Sequence, residues 1–116
     1  MEEEQILMER AEPLSHISHV ETSEVGITCN QPDGNQHVIR WDDLQTVLLE
    51  TTDEGPFVDD VWWVLIAAKG TYRVAQGASG ESELFAQLQM LPGFNNDAVI
   101  EAMGSVENQQ FLCWQR

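Results

Sequence analysis

The sequence predicts a single α+β domain over residues 1–116: an antiparallel β-meander of about five to six strands, two helices in the C-terminal half packed on one face, and a last strand. Three observations predict it. The apolar run Val61–Ala68 is short for a buried helix and typical of a central strand. Extended patterns separated by turn residues surround that run, and the helical patterns follow them. A chain of 116 residues has the length of one domain.

The N-terminal segment, residues 1–13, fits either a short helix or a flexible tail. Ile6, Leu7 and Arg10 have helical spacing, and acidic residues in the first turn suit a helix dipole. From residue 14 to residue 20 the apolar residues follow neither the helical period nor the alternation of a strand. No element is predicted there.

Two strands joined by a turn follow. Alternating apolar residues predict a strand over Val25–Asn30, and the Pro-Asp-Gly-Asn turn at 32–35 leads into a second strand that ends at Trp41. Residues 42–44 interrupt the extended pattern with a cap or a turn. A third strand is predicted over residues 46–51.

The central strand places its side chains on two faces, because successive residues of a strand alternate. Trp63 and Leu65 should face one side, and Trp62 and Val64 the other. Two adjacent tryptophans and several β-branched residues would lose rotamer freedom in a helix. A Lys-Gly turn then leads to a further strand over residues 71–75.

The helices come next. Ser79 is the predicted N-cap of the first, and Asn95 that of the second. Ile100 and Met103 are expected to continue the buried apolar face of the second helix. A last strand over residues 110–114 closes the chain.

The charge is strongly negative. Twenty acidic residues against five Lys and Arg give a formal net charge of −15, of which residues 1–58 carry −11 and residues 59–116 carry −4. Such an excess repels nucleic acid and anionic membranes, and it attracts basic protein surfaces. A role in solubility alone is the open alternative.

The compartment predicted is the cytoplasm of a bacterial cell. The first residues are acidic, unlike a targeting signal, and the longest apolar run is far below the length of a membrane span. Cys29 and Cys113 lie in separate apolar runs and are predicted to be buried thiols.

No enzyme, metal or cofactor is predicted. His16 and His19 form one HxxH pair, whereas structural zinc sites use two ligand pairs. Adjacent carboxylates on a strand point to opposite faces and do not form a catalytic pair. A small metal-assisted hydrolase that uses His37, Glu54 and Asp59 remains the alternative.

Aromatic residues stand beside carboxylates at three places, which is the chemistry that suits an Arg- or Lys-rich partner. The alternative is that the aromatics belong to the core. The candidate protein-binding residues are Trp41, Asp42, Asp43, Phe57, Asp59, Asp60 and Trp62.

Three motifs lie within residues 36–116: Ile39-x-Trp41-x-Asp43-Leu44, Gly55-Pro56-Phe57-x-Asp59-Asp60-x-x-Trp63 and Phe111-Leu112-x-Trp114. Together they resemble a family of small, acidic, uncharacterised bacterial proteins, and this resemblance implies no activity. The succession of strands also resembles pleckstrin-homology-like sheets, which pack one helix against a bent barrel, whereas this chain has two helices before its last strand.

The function expected is therefore that of a non-enzymatic protein-binding module, such as an immunity or inhibitor protein whose acidic surface binds a basic partner. The protein would be a monomer or a homodimer. A structural homo-oligomer, paired through the tryptophan strand or the last strand, is a further alternative.

Overall fold

A computed structural model of the chain describes residues 17–52, 61–105 and 107–116. The strands are β1 (Ile17–Thr22), β2 (Gly26–Asn30), β3 (Gln36–Arg40), β4 (Leu44–Thr51), β5 (Val61–Ala67), β6 (Gly70–Ser79) and β7 (Gln109–Gln115). The helices are α1 (Glu81–Leu88) and α2 (Asn96–Met103), and a 3-10 turn, Trp41–Asp43, precedes β4. The predicted α+β class, with two helices before a last strand, is confirmed.

The predicted antiparallel meander of five to six strands is wrong, because the described residues form a seven-stranded mixed sheet in the order β3-β2-β1-β6-β5-β4-β7. The strand that the sequence analysis did not predict is β1, which lies parallel to β6 and antiparallel to β2. Buried residues recur at every third position of β1, so the alternation expected of a strand is absent from its sequence. The parallel β1 and β6 pair joins two antiparallel halves of the sheet.

The central position of β5 is confirmed, since it lies between β4 and β6 and is antiparallel to both. Its faces also alternate as predicted. Trp63 is only 2% exposed and Leu65 is fully buried, whereas Trp62 is half-buried on the opposite face.

Both helices pack on the Trp63 face. The centre of the Phe85 ring of α1 lies 5.4 Å from that of the Trp63 ring, and Leu84 and Leu88 are fully buried in the same core.

The predicted buried face of α2 is partly wrong, because Ile100 is 69% exposed and Met103 is 45% exposed. The residues of α2 that face the sheet are Ala98, Val99 and Ala102. Two small alanines one turn apart let the helix approach the sheet closely and turn the larger side chains outward.

A partly buried carboxylate, Glu81, lies at the start of α1 and contacts the core residue Trp63. The indole Nε1 of Trp63 donates a hydrogen bond of 2.6 Å to Glu81 Oε2. Burial raises the pKa of the Glu81 carboxyl above its ordinary value of 4.5, and the Trp63 hydrogen bond offsets part of this effect. The ionised side chain is therefore less favourable in the folded state than in the unfolded state.

The substitution Glu81→Gln tests this point. A carboxyl group whose pKa is higher in the folded state than in the unfolded state stabilises the folded state when it is protonated. This contribution to the free energy of unfolding is lost as the pH rises above 4.5 and the carboxyl group ionises. Gln keeps an acceptor for Trp63 but has no charge. We expect the free energy of unfolding of the variant, relative to the wild type, to increase between about pH 4 and about pH 7 in urea titrations. A relative stability that is independent of pH would contradict the assignment.

Candidate protein-binding surfaces

The predicted binding residues lie in two groups. Trp41, Asp42 and Asp43 form the 3-10 turn at the start of β4, where Leu44 pairs with Ala67 of β5. Trp62 pairs with Glu50 at the other end of the same two strands, and a strand segment of this length spans about 20 Å. Three further candidates lie outside the described residues: Phe57, Asp59 and Asp60.

The side chain of Trp41 has a structural role. Its Nε1 donates a 2.8 Å hydrogen bond to the Ser23 carbonyl, and its half-buried ring packs against the core. The Arg116 guanidinium donates to the carbonyls of Trp41 and Leu44, which fixes the turn to the C-terminal end of the chain.

The carboxylates on this turn are available to a partner. Asp42 is exposed and Asp43 is half-buried. Neither carboxylate forms an ion pair with another residue in the described ranges. The turn therefore presents two carboxylates, neither of them in an ion pair with another described residue, at one end of the β4 and β5 pair.

The sheet face opposite the described helices carries apolar side chains from neighbouring strands. We call it the open face. It consists of Leu48 and Glu50 of β4, Trp62, Val64 and Ile66 of β5, Thr71, Arg73 and Ala75 of β6, and Leu112 of β7. Leu112 is 49% exposed and Trp62, Ile66 and Leu48 are half-buried, whereas Val64 and Ala75 are buried. Partly exposed apolar residues that are contiguous in a sheet are typical of a contact surface.

One polar group fixes the aromatic residue of this face. The Arg73 guanidinium lies 4.7 Å from the centre of the Trp62 ring, and Arg73 Nη2 lies 2.9 Å from Glu50 Oε1. The pair is partly exposed, so its contribution to stability is small, about 0–1 kcal/mol. Its main effect is geometric: the Arg73 guanidinium occupies one face of the Trp62 ring.

A hydrogen-bonded array that the sequence did not predict joins β1 to β6. His19 Nδ1 lies 3.0 Å from Ser79 Oγ, and His19 Nε2 lies 2.9 Å from Glu21 Oε2.

The predicted role of Ser79 as the N-cap of α1 is wrong. Gly80 occupies that position with φ 88°, and no side chain caps α1. His19 and Ser79 are far apart in sequence, so only the parallel pairing of their strands reveals the contact.

The order Ser, His and Glu is also that of a catalytic triad, but the surroundings do not suit catalysis. The side chains of His19 and Glu21 are 40% and 65% exposed, respectively. Glu81 and Glu83 stand in the first turn of α1, which begins two residues after Ser79, and negative charge so close to the Ser79 hydroxyl disfavours an oxyanion. The hydrogen bond between His19 and Ser79 instead connects β1 to β6 where the register of their pairing is irregular.

The residues considered for metal binding do not converge within the described part of the chain, where no three His, Cys, Asp or Glu side chains come together. His37 lies on β3, with Nε2 3.0 Å from Gln31 Oε1. Its predicted partners, Glu54 and Asp59, lie outside the described residues.

The two cysteines are free and buried, as predicted. Burial raises the pKa of the Cys29 thiol to about 12 and that of Cys113 to about 11, which favours the protonated thiol over the nucleophilic thiolate at neutral pH.

The outer edge of β7 is partly occupied by its own chain. Asn95 N donates a 2.8 Å hydrogen bond to the Cys113 carbonyl, and Trp114 Nε1 donates a 2.8 Å bond to the Pro92 carbonyl. Covering an edge in this way hinders the addition of another strand at that point.

Neither described helix is long and apolar enough to cross a membrane. Comparison of the chain with protein-family models, curated proteins and solved structures found no match.

Proposed function

We propose that this protein is a non-enzymatic protein-binding module, of the immunity or inhibitor kind, that binds a basic protein partner through its open face. The observation that carries the proposal is the set of neighbouring apolar side chains on a sheet face opposite the described helices, of which Leu112 is 49% exposed and Leu48, Trp62 and Ile66 are half-buried. Apolar contact of this kind supplies affinity once the partners have met.

Charge complementarity argues for a basic partner. Asp42 and Asp43 border one end of the β4 and β5 pair. The segment 53–60, which connects the other ends of these strands in the sequence, contains four more acidic residues. With a net charge of −15, the protein should attract a cationic protein over long range and accelerate its association.

Neutralising the turn tests the steering role. The double substitution Asp42→Asn and Asp43→Asn should lower the rate constant for association with a basic protein partner, isolated by affinity capture from native cells, by roughly threefold to tenfold at low salt, and reduce its dependence on ionic strength. Stopped-flow or surface-plasmon kinetics at several salt concentrations measure both. The matched control is Glu83→Gln with Asp97→Asn, which removes two exposed charges on the helix side. Equal effects of the two double variants would contradict a specific role for the turn.

A further inference from the structure

Helix α2 exposes an apolar ridge away from the core. Ile100 and Met103 are 69% and 45% exposed, and their spacing places them side by side on the helix surface. The Met103 sulfur accepts a 3.4 Å hydrogen bond from Gln76 Nε2, which fixes one end of the ridge over β6. An eight-residue helix with two large apolar side chains turned outward is typical of a contact surface.

A cleft of about 430 Å³ lies beside this ridge, between the C-terminal end of α2 and the start of β7. The described residues that line it are Glu101, Gly104, Ser105, Glu107, Gln109 and Phe111. None of these is basic, and neither carboxylate forms an ion pair with another described residue. The C-terminal end of α2 adds negative partial charge, and its last turn contains no basic residue to offset it.

The wall of the cleft is already held in place. The buried hydroxyl of Thr51 donates a 2.6 Å hydrogen bond to the Glu107 carbonyl. Glu107 N in turn donates a 3.2 Å bond to Ser105 Oγ. Because these bonds order the backbone around the cleft, a ligand would lose little affinity in arranging it.

We propose that the ridge and the cleft together form a second docking surface, for a basic amphipathic peptide segment. A Lys or Arg side chain of that segment enters the cleft between Glu101 and Glu107, with the half-buried Phe111 ring beside it. An apolar side chain of the same segment covers Ile100 and Met103. Charge complementarity identifies the occupant, since a neutral or acidic segment would leave both carboxylates without a counter-ion.

The surface lies on the helix side of the sheet and is separate from the open face. The inference therefore does not rest on the proposed function. The two surfaces can be tested with different variants of the full chain.

The test uses the immobilised full-length protein and a positional-scanning library of hexapeptides. We expect retention of peptides that combine Lys or Arg with a large apolar residue, at the expense of acidic and purely polar ones. The double variant Glu101→Gln and Glu107→Gln, and separately Ile100→Ser, should each weaken binding of the selected peptide by about tenfold. Leu112→Arg on the open face should leave that binding unchanged.

The controls are Glu83→Gln for the charge and Val38→Ser for the exposed apolar residue, both at exposed positions of other elements. Retention that shows no preference for cationic peptides would overturn the proposal. So would equal binding by Ile100→Ser, the double Glu variant and the wild type. Loss of peptide binding in Leu112→Arg alone would show that the peptide binds at the open face, and this result would also overturn the proposal.

Discussion

Replacing Gly80 by Ala should destabilise the protein by about 2–5 kcal/mol, although only one methyl group is added. Gly80 links β6 to α1 with φ 88°, a conformation that costs other residues about 1–2 kcal/mol. A Cβ at this position would stand 1.9 Å from the carbonyl oxygen of Val20 on β1. That oxygen belongs to the backbone, so the clash is relieved only by moving α1 away from β1.

Urea unfolding followed by tryptophan fluorescence measures this loss. The control is Gly77→Ala, three residues earlier on β6, since a Cβ at Gly77 meets nothing within 4 Å and its backbone is not in the left-handed region. That change should alter stability by less than about 1 kcal/mol. A similar stability for the two variants would show that α1 does not meet β1 as closely as described.

The substitution Trp63→Ala should have the other large effect, a loss of about 3–5 kcal/mol. Trp63 is at the centre of the core, 2% exposed, and its ring packs against Phe85. Its removal leaves a cavity and deprives the Glu81 carboxylate of its donor. Trp63→Phe, which retains part of the packing but not the N–H group, should have an intermediate effect.

The neighbouring tryptophan supplies the control. Trp62→Ala removes the same side chain from the open face, where the ring is half-buried and contacts Arg73. Its effect on the free energy of unfolding should be clearly smaller than that of Trp63→Ala. If Trp62→Ala lowers the free energy of unfolding more than Trp63→Ala does, the buried face and the open face of β5 have been assigned the wrong way round.

The elements that the sequence predicted are those whose signals are local. The faces of β5 followed from alternation, and the cap of α2 followed from Asn95, whose side chain accepts a 3.2 Å hydrogen bond from Ala98 N. The position of β1 could not be predicted in this way. Its place in the sheet depends on parallel pairing with β6, where a bulge separates the pairs Ile17 with Val74 and His19 with Ser79.

The candidate surfaces were predicted only in part. Asp42 and Asp43 could be named because their charge is evident in the sequence. Arg73, Leu112 and Ile100 could not, because their places on these surfaces come from strand register and from the rotation of α2. The outward position of Ile100 is a tertiary effect: the alanines of α2, not its largest apolar residues, face the sheet.

The measurement that most directly tests the binding role compares three immobilised proteins: the wild type, Leu112→Arg and Ala86→Arg. Each variant adds one positive charge at an exposed position, Leu112→Arg on the open face and Ala86→Arg on α1. Each is used to capture proteins from native cells, with elution in steps of rising salt. We predict that the wild type and Ala86→Arg retain the same basic protein, which leaves at moderate salt, and that Leu112→Arg retains far less of it. Equal retention by all three proteins, or retention of no basic protein by the wild type, would contradict the account.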